Sequence, residues 1–349
     1  MMPENNHSLV LVTGGSGFIA VHIILQLLKK EYRVRATLRT MSRQDEVKAM
    51  LRSVGVTNFA GLSFIEADLS SDMNWDEAVK GAEYVIHVAS PTPNKIYKDE
   101  NEMIQPAREG VLRVLRASRD AGVKRVVLTS AFGAVGVGHK HHQGPYTEKD
   151  WSNTDANIHP YQKSKTLAER AAWDFIRQEG NGLELATVNP VGVMGPILGN
   201  DYSHSNETVR QMIEGKLKSV PKIYSDYVDV RDVADLHILA MVRPEANGER
   251  FIASSAENLS MLDIAKMLRK HLGEEAKNVP NSELPNIAVR ILAVFNPKLR
   301  MIASLLGNEM STSNQKAKQL LGWAPRSAEE AIIATGSSMV KIIKEQMIS

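Results

Sequence analysis

Short apolar runs alternate with helical periodicities through the first half of the chain. Leu9–Thr13, Arg33–Leu38, Leu62–Ala67, Tyr84–Ala89, Arg125–Ser130 and Leu183–Asn189 read as strands rich in Val, Ile and Leu. Between them the spacing of apolar positions predicts helices near 18–30, 44–53, 75–80, 102–121 and 161–179. Strands apolar on both faces, each followed by a helix, predict an α/β fold with a doubly wound parallel sheet. After Asn189-Pro190 the alternation stops. A loop with one helix (206–215), a helix at 231–242 and a short strand at Arg250–Ala253 follow; the strand is expected to return to the main sheet. Beyond Ser260 the pattern is mostly helical: 260–272, 285–295, 297–306, 313–320 and 327–345. The expected division is a first domain of residues 1–192, with 227–255 returning to it. Residues 193–226 and 256–349 form a smaller, mostly helical lobe.

One strand ends in glycines and opens directly into a helix: Val10-Leu11-Val12-Thr13-Gly14-Gly15-Ser16-Gly17-Phe18-Ile19-Ala20. A strand, a tight turn and a helix N-terminus form the arrangement that holds a dinucleotide pyrophosphate, which makes the fold Rossmann-type. Gly14 is expected to turn with φ > 0, where a Cβ would clash. Gly17 lets backbone N–H groups approach the phosphates, and Thr13, Phe18 and Ile19 complete the cradle. In such sheets ligands lie at the carboxyl ends of the strands. Asp68-Leu69, after the third strand, is placed to reach an adenine edge, although Asp also serves as a loop cap. Val88, Ala89 and Ser90, after the fourth, are small and uncharged and admit a ribose. Pro190, Val191 and Gly192, after the sixth, do the same for a nicotinamide. The second strand ends at Leu38-Arg39, where an NAD site usually has an acidic residue for the ribose hydroxyls. Arg39, with Arg43 nearby, suits a 2′-phosphate, because a guanidinium binds phosphate oxygens bidentately. The expected cofactor is NADP(H).

Tyr161 and Lys165 are four apart at the start of a helical stretch, so both side chains share one face. A phenol with an ammonium one turn away is a candidate acid–base pair, the cation being expected to lower the phenol pKa towards working pH.

Composition narrows the function classes. A net charge of +2 is too small to imply nucleic acid or an anionic membrane as partner. The absence of cysteine removes disulfides, thiolate nucleophiles and Cys-ligated metals. The opening MMPENNHS lacks a signal-peptide core and no apolar run is long enough to span a bilayer, so the chain is read as cytoplasmic, with Glu4 to His7 a tail. His139-Lys140-His141-His142 has no interleaved carboxylate and reads as an exposed loop; no metal is expected. Asp229 and Asp232 read as helix-cap or ion-pair residues, and Met301 to Leu306 as core.

Taken in order, LVTGGSGFIA, VRATLR, ADL, VIHVASP, RVVLTS, the YQKSK-TLAERAAW helix, NPVGVMGP, YVDVRDVADLH and LGWAP resemble the extended short-chain dehydrogenase/reductase superfamily. Within it the chain looks most like the dihydroflavonol 4-reductase and cinnamoyl-CoA reductase group and its microbial aldehyde and ketone reductases. The resemblance implies that Tyr161 protonates the substrate oxygen as hydride leaves the nicotinamide. It implies that Lys165 lowers the Tyr pKa and holds the nicotinamide ribose, and that a hydroxyl after the fifth strand steadies the carbonyl.

The sequence departs from the family at that hydroxyl. In Thr129-Ser130-Ala131-Phe132-Gly133 the gap-free position falls on Ala131. Ser130 is adjacent but on the opposite strand face, and Thr129 lies about 6–7 Å further back. Ser130 is taken as the third catalytic residue, turning in as the strand ends. Phe132, Met194 and Tyr202 are candidates for an apolar substrate wall. The leading expectation is NADPH-dependent, reversible reduction of an aldehyde or ketone. The alternatives are an NAD-dependent nucleotide-sugar epimerase or dehydratase and a non-catalytic NADP-sensing regulator. The partner is a small molecule, the state a monomer or homodimer; in the superfamily the helices at 102–121 and 161–179 often form the dimer contact.

Overall fold

The computed structural model describes residues 8–91, 99–139, 142–199, 202–295, 303, 306 and 310–348. The helix expected at 297–306, most of Met301 to Leu306, the tail Glu4 to His7, and Lys140 and His141 lie outside the described residues.

The chain divides into two compact units. The first comprises residues 1–190, 231–253 and 314–324. Its parallel sheet is built from β1 (Leu9–Val12), β2 (Arg33–Leu38), β3 (Leu62–Glu66), β4 (Tyr84–His87), β5 (Arg125–Thr129) and β6 (Glu184–Pro190). The seventh strand is Arg250–Ala253, and the spatial order is β3-β2-β1-β4-β5-β6 followed by that strand. The order reverses between β1 and β4, so a crevice opens there at the carboxyl ends. Helices α1 (Phe18–Lys29), α2 (Gln44–Arg52), α3 (Trp75–Val79), α4 (Asn101–Asp120) and α5 (Pro160–Glu179) connect the strands. Leu9, Leu11, Val85, Val126 and Leu128 are buried against Trp75, Val111, Leu115, Ala168, Ala172 and Phe175, so α3, α4 and α5 share one apolar cluster with the sheet. Buried Arg125 at the foot of β5 donates to the carbonyls of Ala240, Met241 and Arg243 and pairs with Glu184, closing the C-terminal end of the helix α7 (Val230–Val242).

The second unit comprises residues 191–230, 254–313 and 325–349. It holds α6 (His204–Ile213), α8 (Met261–Leu272), α9 (Asn286–Phe295) and, across the segment that returns to the first unit as α10 (Gln315–Leu321), the long α11 (Ala328–Ile348). A capping box of Ser260 and Asp263 starts α8. Beside these helices stand two small sheets absent from the sequence expectation. One orders β7 (Gly192–Met194), β9 (Tyr224–Asp229) and β11 (Asn258–Ser260) as β11-β9-β7. The other pairs β8 (Val220–Pro221) with β12 (Glu283–Leu284). Arg250–Ala253 in the first unit is β10. The division differs from expectation in three places: residues 191–192 belong to the second unit, 227–230 and 254–255 belong to it as well, and α10 belongs to the first. No helix among the described residues is long and apolar enough to cross a membrane.

Candidate active site

The crevice between β1 and β4 is fastened by one side chain. Thr13 Oγ1 accepts from the backbone N–H groups of Val88 (3.0 Å) and Ala89 (2.9 Å) and meets His87 Nδ1 at 2.8 Å. With both acceptor positions used, the hydroxyl hydrogen goes to Nδ1 and His87 carries its proton on Nε2, which is buried and has no partner among the described residues. Burial, reinforced by the Lys165 ammonium, holds the His87 pKa down to about 3, so the ring is neutral. Gly14 has φ +67°, and its N–H donates to Thr37 Oγ1 at 3.0 Å. A Cβ there would stand 3.1 Å from Ala89. Gly15, which sequence reasoning passed over, is tighter still: its Cβ would stand 2.8 Å from that of Ala36. At Gly17 a Cβ would meet only the Gly14 carbonyl, at 3.3 Å. Gly17 is the N-cap of α1 and no side chain caps the helix there, which leaves the first-turn N–H groups of Phe18 and Ile19 without a capping group.

Helix α5 starts on Pro160, whose missing N–H costs nothing in the first turn, with His159 accepting from the Tyr161 N–H. Tyr161 and Lys165 then share a face. The Lys165 ammonium is buried, 6.0 Å from the centre of the Tyr161 ring and 3.5 Å from the carbonyl of Thr129, the last residue of β5. The electrostatics reverse the sequence expectation. Burial raises the Tyr161 pKa above its ordinary value of 10.0, and the ammonium does not offset it. The same burial lowers Lys165 to about 8, opposed by the Glu169 carboxylate. Thr129 Oγ1 bonds His237 Nε2 at 2.7 Å; the His237 Nδ1 faces the Val233 carbonyl, and burial lowers this ring to about 4.

Ser130 does not turn towards this face. Its hydroxyl donates to Glu169 Oε2 at 2.5 Å, so its single hydrogen is committed inside a buried polar cluster. Ala131 follows it in extended backbone and bears no hydroxyl.

The remaining expected residues divide. Arg39 is exposed just past β2, while Arg43 pairs with Glu46 at 2.8 Å. Asp68 caps its own turn through the Ser70 N–H and hydroxyl, and these bonds, followed by Arg39 and Arg113, lower its pKa. Leu69 packs on the α3–α4–α5 cluster, against Gly110. Val88, Ala89 and Ser90 are half-buried after β4. Pro190 ends β6 in the first unit; Val191 begins the second, and Gly192 makes room for the Tyr227 ring, 2.7 Å from where a Cβ would stand. Phe132, half-buried, meets Tyr146 edge-on at 5.6 Å, and His142 stacks on that Tyr at 3.8 Å. Met194 is buried with its sulfur facing the Thr335 hydroxyl, and the Tyr202 hydroxyl is taken by Arg210 and Glu207. Among the described residues no group of three or more His, Asp or Glu could hold a metal ion.

Comparison with known proteins accords with this geometry. The profile of the NAD dependent epimerase/dehydratase family matches residues 10–253. Dihydroflavonol 4-reductase of Hordeum vulgare is 34% identical over 284 residues, 78% of this chain and 77% of that protein. Cinnamoyl-CoA reductase CAD2 of Medicago truncatula is 32% identical over 276 residues, 77% and 82% of the two chains. The crystal structure of yeast methylglyoxal/isovaleraldehyde reductase Gre2 complexed with NADPH superposes with a TM-score of 0.79 at 28% identity, covering 96% of this chain and 99% of that one. The matched span runs from β1 through the glycine turn and the Tyr161–Lys165 helix to β10, and the chain therefore belongs to the NAD-dependent epimerase/dehydratase family, as an oxidoreductase of its dihydroflavonol reductase-like group with a nicotinamide cofactor.

Proposed function

We propose that the chain is an NADPH-dependent reductase of aldehydes or ketones, reversible as an alcohol dehydrogenase, with Tyr161 as proton donor. The observation that carries this reading is the placement of Tyr161 and Lys165 on one face of α5 against the carboxyl end of β5. The first unit is the cofactor-binding domain in this reading. Its residues fit a dinucleotide. Among the described residues the α1 N-terminus lacks a side-chain cap and the three-donor Lys165 ammonium has one hydrogen-bond acceptor, at 3.5 Å, while Gly17 keeps a side chain out of the turn. Phe18 and Ile19 N–H groups would hold pyrophosphate oxygens, and Lys165 a ribose hydroxyl. Arg39 would take the 2′-phosphate, as the pairing of Arg43 with Glu46 leaves Arg39 the exposed guanidinium at the β2 end.

When bound, the cofactor supplies hydride to the carbonyl carbon. The chain supplies the proton. A phenol with a raised pKa is fully protonated at neutral pH and therefore ready to donate to a developing alkoxide. With Ala131 in place of a hydroxyl, and Ser130 turned to Glu169, Tyr161 is the donor that both orients and protonates the carbonyl oxygen.

The test follows NADPH oxidation across aldehydes, α-keto esters, diketones and a dihydroflavonol. We expect turnover with some of these, and a fall of about 10²–10⁴ in kcat for Tyr161→Phe. Equal turnover in the variant, or NADPH binding with no turnover on any carbonyl, overturns the reading. In the same assay kcat/KM for NADPH exceeds that for NADH, and Arg39→Ala narrows the gap.

A further inference from the structure

The proton and hydride steps make no direct use of a buried charge cluster behind the catalytic pair. Glu169 stands on α5 one turn beyond Lys165 and two beyond Tyr161, on the same face. It is 1% exposed. Its Oε1 accepts from Arg250 Nε at 2.6 Å, Thr187 Oγ1 at 3.1 Å and Trp173 Nε1 at 3.4 Å. Its Oε2 accepts from Ser130 Oγ at 2.5 Å and Asn189 Nδ2 at 2.7 Å. Apart from the neighbouring Trp173, the donors come from the end of β5, from β6 and from β10. Arg250 is itself clamped: its guanidinium lies 3.7 Å over the Trp151 ring and donates to the carbonyls of Glu148 and Asp150, each at 2.8 Å.

A buried ion pair is weak evidence of a stability role, since apolar residues of similar volume often fill such a space at no loss. A charge kept here points to a use for charge, and Lys165 has one. Among the described residues the groups facing its ammonium are the Tyr161 phenol and Glu169 on its own helix, the neutral His87 at the end of β4, and the Thr129 carbonyl, whose residue also bonds the neutral His237 of α7. Among the described residues the opposing negative charge is that of Glu169.

We propose that Glu169 is the positioning residue of the catalytic pair: held by Arg250 and Ser130, it seats α5 on the ends of β5 and β6 and provides the counter-charge of the Lys165 ammonium. The inference rests on the reductase reading for the role of Lys165. Loss of this counter-charge lowers the pH at which Lys165 gives up its proton, and with it the pH at which the ribose contact fails.

The test is the pH dependence of NADPH affinity of the full chain, by fluorescence titration from pH 6.5 to 10. In the wild type affinity weakens above about pH 8. In Glu169→Gln the break moves down by about one pH unit, a tenfold change in the proton-binding constant. In Glu169→Asp, which keeps the charge, it returns close to the wild-type position. Should Glu169→Gln leave Arg250 unpaired and fail to fold, the double variant Glu169→Gln, Arg250→Met removes both charges and is expected to fold with its break also lowered. A merely structural role lowers the melting temperature of these variants and leaves the break where it was. That result in a folded variant overturns the inference. A wild type that binds NADPH with no alkaline break, or does not bind it, overturns instead the reading on which the inference rests.

Discussion

The glycine turn after β1 and the Glu169 cluster beyond β5 lie at the same edge of one sheet and are built in opposite ways. The turn is made of backbone and of missing side chains: Gly14 at φ +67°, Gly15 where an added Cβ would stand 2.8 Å from that of Ala36, and Thr13 taking the N–H groups of Val88 and Ala89. The cluster is made of side chains: one carboxylate, one guanidinium and four neutral donors from residues up to 81 positions away from Glu169. The turn is a local shape that any bound anion would meet ready-formed. The cluster is a non-local charge arrangement that only the folded sheet assembles, and it acts on the chemistry through α5.

The largest expected effect attacks the turn. Thr13→Val keeps the shape of the side chain and removes its oxygen. Two backbone N–H groups and His87 Nδ1 lose their partner in a region with little access to water. Stranded buried groups of this kind cost about 3 kcal/mol together. Urea unfolding measures this. A loss below about 1 kcal/mol would mean that the β1–β4 crevice is held by the strands alone and that the turn is not fastened as described.

The next effect concerns Lys165, the group the cluster serves. Its folded-state pKa of about 8 lies below the ordinary lysine value of 10.5, so between these values the unfolded chain binds more protons than the folded one. Stability therefore rises with pH across that window, and at pH 7 the buried ammonium is a cost. Lys165→Met removes the cost. We expect it to be more stable than wild type by about 2 kcal/mol at pH 7, with the difference vanishing towards pH 10, while NADPH turnover is lost. Thermal melts at pH 7 and pH 10 decide it. A variant less stable at pH 7 would show that the Thr129 carbonyl and Glu169 more than compensate the burial.

The contrast between turn and cluster also explains what the sequence discloses. Six strands and their helices are legible to within one or two residues, because β1, β4 and β5 are short, fully buried runs dominated by Val, Leu and Ile, and helical spacing separates each strand from the next. The strand Tyr224–Asp229 was missed because its polar members are satisfied internally. Buried Asp226 accepts from the Thr312 N–H at 2.8 Å and from Asn258 Nδ2 at 2.9 Å, and a strand whose acids point inward has no apolar alternation to read. Gly14 was legible because a left-handed turn needs glycine; Gly15 was not, because what excludes a side chain there is Ala36 on another strand. The Tyr161–Lys165 face followed from spacing, whereas the sign of the Tyr161 shift depends on how deeply α5 is buried, which spacing does not carry. Glu169 gave no signal at all: an acid at a helical position one turn past a lysine reads as an ordinary surface pair.

The smallest effect bears on the residue where the two regions could be confused. The family resemblance suggests Ser130 as the third catalytic group; its hydroxyl donates to Glu169. If that is its whole use, Ser130→Ala removes one of five donors from a carboxylate that keeps Arg250 and Asn189. The cost is about 1 kcal/mol in urea unfolding, because the acceptor is not left unpaired. Steady-state kcat/KM on the best carbonyl then stays within about threefold of wild type, by the same logic that a positioning contact shared among five is little missed. A fall of a hundredfold with unchanged stability would put the Ser130 hydroxyl on the substrate oxygen during turnover. It would also mean that the Glu169 contact is a resting position from which the side chain rotates, and the catalytic face and the charge cluster would then share a residue.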